Sequence, residues 1–207
     1  MKKLFIAEIL AILAALLMLV AAVLGAIGLK NEPVLLASGT VTLVAGILLI
    51  IVFVIQIVGL YQGGKDDIQI KYGFYLTIIA IVLNLIVVIF GMIKDNQILA
   101  TIAKYISIAV DIATVLALVC TLRGIAALAH QLGDEKMEER GKSLAFIVFI
   151  LFVASIVLGA YPNFFVNGAP DWAQTMFAIT GIVAGIIELV VYILTVLYYG
   201  KATKMLK

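Results

Sequence analysis

The chain has 207 residues, 65% of them hydrophobic and 13% charged, with a mean hydropathy of +1.27 and a formal net charge of +2. Soluble domains carry about 25% charged residues, so this composition excludes an ordinary soluble enzyme or a disordered tail and points to an integral membrane protein. The small net charge gives no reason to expect a nucleic-acid partner.

Apolar runs lie at approximately 4–29, 34–61, 72–93, 98–130, 143–160 and 172–199. An α-helix needs about 20 apolar residues to cross a bilayer, and runs this long and unbroken exclude the alternating strands of an outer-membrane barrel. The expected fold is therefore an all-α integral membrane protein of six transmembrane helices, one polytopic domain over 1–207.

The first run opens as "MKKLFIAEIL", basic and then apolar like a secretory signal, but it continues to Leu29. That is longer than the 7–15 residues or so of a signal core, so it is expected to stay as the first span. It carries Glu8, and the second run carries Gln56. At about 1.5 Å rise per residue each lies about 8 Å from an inner edge, which defines a shallow inner polar layer. The third run places Asn84 on one face with Gly73, Thr77, Ala80 and Gly91; residues three, four or seven apart share a side of a helix.

The fourth run contains "SIAVDIATV", in which Asp111 stands among Ile, Ala and Val. Lys104 and Arg123 mark the two ends of this span, about 28 Å apart, and Asp111 lies about 18 Å from the inner one. Ser107 and Thr114 share its face. Cys120, the only cysteine, has no intrachain partner and is expected to be a spectator thiol. Where this helix ends, Arg123 and His130 face one way, with Asp134 a turn further along. They either anchor the span end at the headgroups or form a cytoplasmic patch for pH sensing or partner docking.

"GDEKMEERGK" follows, and Glu138 and Lys142 at helical spacing suggest a solvated helix extension ahead of the fifth span. Ser155 falls about 18 Å above that span's inner edge, and Glu188 in the sixth about 16 Å above its own. Between them "YPNFFVNGAPDWAQ" is aromatic and free of basic residues. It is either an interfacial belt or a lid over an outward-facing site.

Asp111, Glu188, Asn84 and Ser155 thus share one depth on four helices. A charge at mid-bilayer costs roughly 2.5–3.5 kcal/mol on insertion scales, so such side chains turn toward other helices or a water-filled cavity. Two readings stay open. Asp111 and Glu188, with Ser107 and Thr114 beside them, form a polar site whose burial raises the carboxyl pKa values toward neutrality. Alternatively they are structural glue, bonded across a seam of small residues that includes Gly91 and Gly185 at close helix contacts.

Lys and Arg collect on the cytoplasmic side of a membrane. With the N-terminus inside, eleven basic residues fall on that side and three outside, so both termini are expected in the cytoplasm of a cell bounded by this plasma or inner membrane. The odd spans end alike in "VLGAIG", "IFGMI" and "VLGAYP", and eighteen residues before Gly25, Gly91 and Gly159 stand Ala7, Gly73 and Gly141. The even spans exit into "LYQGGKDD", "AHQLGDEK" and "LYYGKATK". Three consecutive helical hairpins would produce such a pattern.

No enzyme motif is present. One histidine cannot supply a two-His zinc helix, and there is no G-x-S-x-G, Walker A or cysteine pair. "EERGKS" places Ser143 where a CAAX-type membrane protease needs arginine, and no potassium-filter motif occurs. Neither catalysis, a metal nor a cofactor is expected.

Six helices with both termini inside, together with the alanine ladder Ala7, Ala11 and Ala15, resemble the substrate-binding subunits of energy-coupling-factor vitamin transporters. The resemblance covers topology and one pattern, and it implies binding of a small solute beside a partner subunit. The four-residue first outer turn, "KNEP", departs from that family's long capping loop. The leading expectation is binding or translocation of a small solute or ion at the polar site. The competing one is a non-transporting subunit or scaffold that contacts a membrane-protein partner or a second copy of itself.

Overall fold

The computed structural model describes residues 1–28, 32–93, 97–165 and 171–205. Within them the chain is six α-helices: α1 (Lys2–Gly28), α2 (Glu32–Gly63), α3 (Ile68–Met92), α4 (Gln97–Gln131), α5 (Glu135–Phe165) and α6 (Asp171–Met205). Over the described residues, α1, α2, α3, α4 and α6 each contain a stretch long and apolar enough to cross a membrane, which suggests a membrane protein. The outer turn at 94–96 and residues 166–170 of the aromatic connection lie outside the described residues.

Helix ends follow local chemistry. Asp67 is the N-cap of α3, and its Oδ1 accepts from the backbone N–H groups of Gln69 at 2.7 Å and Ile70 at 3.2 Å, which satisfies two of the donors a helix start leaves open. The "QLGDEKMEER" stretch is helix on both sides of a three-residue turn. Gly133 adopts φ 75° there, a left-handed conformation that glycine takes without a Cβ penalty. The Asp134 N–H donates to Ala129 O at 2.9 Å and the Gly133 N–H to His130 O at 3.0 Å, the paired bonds of a Schellman ending. Asp134 Oδ1 then accepts from Met137 N at 3.1 Å and starts α5. At the other end α5 runs through Pro162 to Phe165, five residues beyond the apolar run.

The chain groups into two compact units, one formed by residues 1–62 and 199–207, the other by 63–198. In the first, α1 and α2 are antiparallel. Ser38 Oγ donates to Ala21 O at 2.8 Å near one end, and near the other a Cβ on Gly59 would meet the Leu4 side chain at 3.0 Å. The buried residues recur every seven positions: Ala7, Ala14 and Ala21 on α1, then Ala45 and Val52 on α2, with Gly59 next in step. A seven-residue step drifts only about 20° around a helix, which keeps one narrow seam facing its partner. Alanine and glycine along it let the backbones approach. The ladder Ala7, Ala11, Ala15 does not follow this seam. Each four-residue step turns about 40° further, and Ala11 is half-buried while Ala15 is exposed.

In the second unit α3 packs on α4 and α4 on α5. The α3–α4 contact is close because of glycine on both helices. A Cβ on Gly73 would sit 3.0 Å from Ala117 O, and one on Gly124 2.9 Å from Ile70 N. At Gly141 of α5 the neighbours are Ala126 of α4 and the Tyr198 ring of α6, each 2.8 Å from where a Cβ would stand. The Tyr198 hydroxyl donates to Met137 O at 3.2 Å. Gly91 and Gly185, expected at close contacts, have nothing within 4 Å of a built Cβ. Gly91 lies five turns from Gly73 and so shares its azimuth, but α4 approaches closely only at the Gly73 end.

Candidate functional site

Three stripes of the second unit share one pattern of burial. On α4, residues 101, 104, 108, 111, 115, 118, 122, 125 and 129 alternate steps of three and four, the spacing of a helix face directed at partner helices. Leu122, Ile125 and Ala129 at one end of that stripe are 0% exposed. Leu118 and Val115 are half-buried, and Asp111, Ile108, Lys104 and Thr101 are exposed. On α5, Gly141, Ala145 and Val148 are buried, whereas Phe152 and Ser155 are half-buried. On α6, Tyr198, Thr195 and Val191 are buried and Glu188 is exposed. Each stripe therefore begins in a packed core and loosens along its described length toward an open space.

That space is a cavity of about 970 Å³, walled by α4, α5 and α6. Asp111, Glu188, Ser155 and Thr114 line it, with Lys104, Tyr105, Tyr192 and Thr195, and the rest of the wall is largely aliphatic or aromatic. Ser155 Oγ donates to Glu188 Oε1 at 2.6 Å, a bond between side chains 33 positions apart. Thr114 donates to Val110 O at 2.8 Å and Thr195 to Val191 O at 2.9 Å. These three hydroxyls spend their protons inside the protein and keep lone pairs as acceptors.

Of the side chains expected to meet in one layer, the cavity gathers Asp111, Glu188, Ser155 and Thr114 but neither Asn84 nor Ser107. Asn84 matches Asp111 in depth and is exposed on α3. The α4 residues that approach α3 most closely at its glycine contacts are Ala117, Thr121 and Gly124, roughly a third of a turn from the Asp111 stripe. Shared depth did not bring a shared face. Ser107 is half-buried and donates to Ala103 O at 3.0 Å within its own helix. Glu8 and Gln56 are half-buried in the first unit. Asp111 and Glu188 are both exposed, so neither carboxylate has the burial within the protein that was expected of it. Tyr192 and Thr195 line the wall on the same face of α6 as Glu188, as helical spacing requires, whereas Thr101, Tyr105 and Phe152 are among the wall residues that sequence reasoning missed; the three-and-four spacing through Asp111 already contains Thr101.

Arg123 and His130 are both exposed. His130 does not turn to Asp134, which is occupied in capping α5. Its Nδ1 lies 2.8 Å from Glu138 Oε2, and Lys142 Nζ donates to Glu138 Oε1 at 2.5 Å. Lys142, and after it His130, hold the Glu138 carboxyl below its usual value by hydrogen bonding to the charged form. At the surface such a cluster contributes little to stability.

Among the described residues no group of three or more His, Cys, Asp or Glu side chains is placed to hold a metal ion. No protein-family model, curated protein or solved structure matches the chain.

Proposed function

We propose that the protein binds a small solute in the cavity between α4, α5 and α6 and carries it across a membrane. One observation supports this above the others: a cavity of about 970 Å³ has Asp111 and the Ser155–Glu188 pair in its wall. Ligand sites typically enclose about 300–1,000 Å³, with few polar groups in an apolar lining. A seam serving only as glue would close over those carboxylates, as the α1–α2 seam closes over its alanines. The test is uptake into proteoliposomes from a panel of small solutes. Wild type is expected to accumulate at least one solute, and the Asp111→Asn, Glu188→Gln double variant to lose that uptake while keeping its elution volume and thermal stability. Unchanged flux in the double variant would remove both carboxylates from the mechanism, and no flux in wild type would favour a scaffold.

The same proposal places both termini in the cytoplasm and treats the helices as three consecutive hairpins across a plasma or inner membrane. The charge asymmetry supports the first, and for the second Ala7, Gly73 and Gly141 are all buried. Single cysteines at Asn96 and Lys136 on a Cys120→Ala background check the orientation. Membrane-impermeant thiol reagents applied to intact cells are expected to label the first alone, and labelling at 136 would reverse the topology.

A further inference from the structure

We propose that the solute is a monovalent organic cation with an apolar body, of the alkylammonium or arylalkylammonium class. The inference rests on the solute-binding reading of the same cavity and adds the chemistry of its ligand.

Three properties of the wall lead there. Its formal charge is negative, since Asp111 and Glu188 outnumber Lys104, and the low dielectric of a span makes an uncompensated negative site costly unless a cation joins it. Two carboxylates and three hydroxyls give the wall a set of acceptors, beside the donor groups that Thr101, Lys104, Tyr105 and Tyr192 also carry. The hydroxyl protons of Ser155, Thr114 and Thr195 are committed to Glu188, Val110 and Val191, leaving oxygen lone pairs and carboxylates toward the space. A ligand rich in N–H donors matches that set, whereas a carboxylate or phosphate would face acceptors.

The third property is size and apolarity. Ile108, Leu118, Val148, Leu151 and Phe152 line the same cavity, and about 970 Å³ far exceeds what an inorganic ion fills. Such an ion needs several oxygen ligands converging at about 2–2.6 Å, and no metal-holding group of acidic side chains is present among the described residues. An ammonium head on Asp111 or Glu188 with its hydrocarbon against the aliphatic wall satisfies both halves of the lining. Tyr105 and Tyr192 are also in the wall, and tyrosine rings attract ammonium groups through their faces.

The test uses three probes that share one body and differ in charge: 4-phenylbutylammonium, 4-phenylbutanol and 4-phenylbutyrate. Each is titrated calorimetrically into the purified full-length protein in lipid nanodiscs, with heats into empty nanodiscs subtracted. Wild type is expected to bind the ammonium about tenfold to a hundredfold more tightly than the alcohol, as one charge contact in partly screened surroundings provides, and the carboxylate least. The Asp111→Asn, Glu188→Gln double variant, isosteric with wild type, is expected to bind ammonium and alcohol equally. Leu118→Trp, which puts an indole into the cavity on the stripe that carries Asp111, is expected to weaken both.

Equal affinity of wild type for ammonium and alcohol, with both weakened in Leu118→Trp, would overturn the cation inference and leave the solute site standing. Tightest binding of the carboxylate would overturn it too. A preference for ammonium that survives in the double variant would remove it from Asp111 and Glu188. No binding of any probe, or binding that Leu118→Trp leaves untouched, would overturn the inference together with the cavity as a solute site.

Discussion

Gly141→Ala is expected to destabilise the protein by about 1–3 kcal/mol, as overpacking of a filled contact does, while Gly91→Ala and Gly185→Ala are expected to be neutral or slightly stabilising. In a helix alanine is favoured over glycine by up to about 1 kcal/mol, and at residues 91 and 185 nothing opposes that gain, since a Cβ meets no atom within 4 Å. At 141 the new methyl would stand 2.8 Å from Ala126 Cβ and from the Tyr198 ring, with the Tyr198 hydroxyl nearer still. That hydroxyl cannot swing away without giving up Met137 O, and Ala126 is itself only 1% exposed. Reversible unfolding in mixed micelles checks the three variants. A second comparison isolates the cause: Tyr198→Phe removes the nearest obstructing atom, so Gly141→Ala with Tyr198→Phe is expected to be less destabilised than the sum of the single changes. Equal stability of Gly141→Ala and Gly91→Ala would mean that α5 does not approach α4 and α6 as closely as the structure has it.

The contrast between these glycines shows where sequence reasoning reaches and where it stops. Helix number and approximate bounds followed from the apolar runs, because a lipid-spanning helix must satisfy its backbone internally and so announces itself by length and composition. Asp67, Gly133 and Asp134 are local signals as well, since caps and left-handed turns are decided within a few residues. Azimuth is a different matter. Gly73 and Gly91 lie on the same side of α3, yet only Gly73 has a neighbour, because contact depends on the axial position of another helix. In a run where nearly every residue is apolar, hydrophobicity does not mark which stripe faces protein. Small-residue spacing does better, and the seven-residue steps of Ala7, Ala14 and Ala21 could have been read from the chain.

The candidate site divides along the same line. Asp111, Ser155 and Glu188 were placed at one depth by counting rise per residue, and the cavity holds all three. Asn84 passed the same count and stands elsewhere, which shows that depth alone is insufficient. The Ser155–Glu188 bond and the His130–Glu138 contact join residues brought together by a helix pairing or a reversing turn, so neither has a periodic signature in one helix. By contrast Glu138 and Lys142, one turn apart in sequence, meet as their spacing requires.

The stripe on α4 that carries Asp111 leads to the second large effect. Leu122→Ala is expected to cost about 2–5 kcal/mol, the range for emptying a fully buried leucine site, whereas Leu118→Ala, four residues along the same face, is expected to cost roughly 1 kcal/mol or less. The side chains are identical and so is the helix. Leu122 is 0% exposed, flanked on its stripe by the equally buried Ile125, so truncation removes dispersion contacts on all sides and leaves a void. Leu118 already borders the cavity, so its truncation enlarges an existing space and forfeits contacts on one side only. Between apolar helices in lipid, packing of this kind supplies much of the cohesion, which makes the step between the two positions a direct measure of where packing ends. Alanine variants at 108, 115, 118, 122 and 125, each unfolded reversibly in mixed micelles, are expected to fall into a mild outer group and a severe inner group with the break between 118 and 122. A uniform loss along the stripe would mean that α5 and α6 close onto α4 over its whole length, and Asp111 would then sit in a packed seam with no room for a solute.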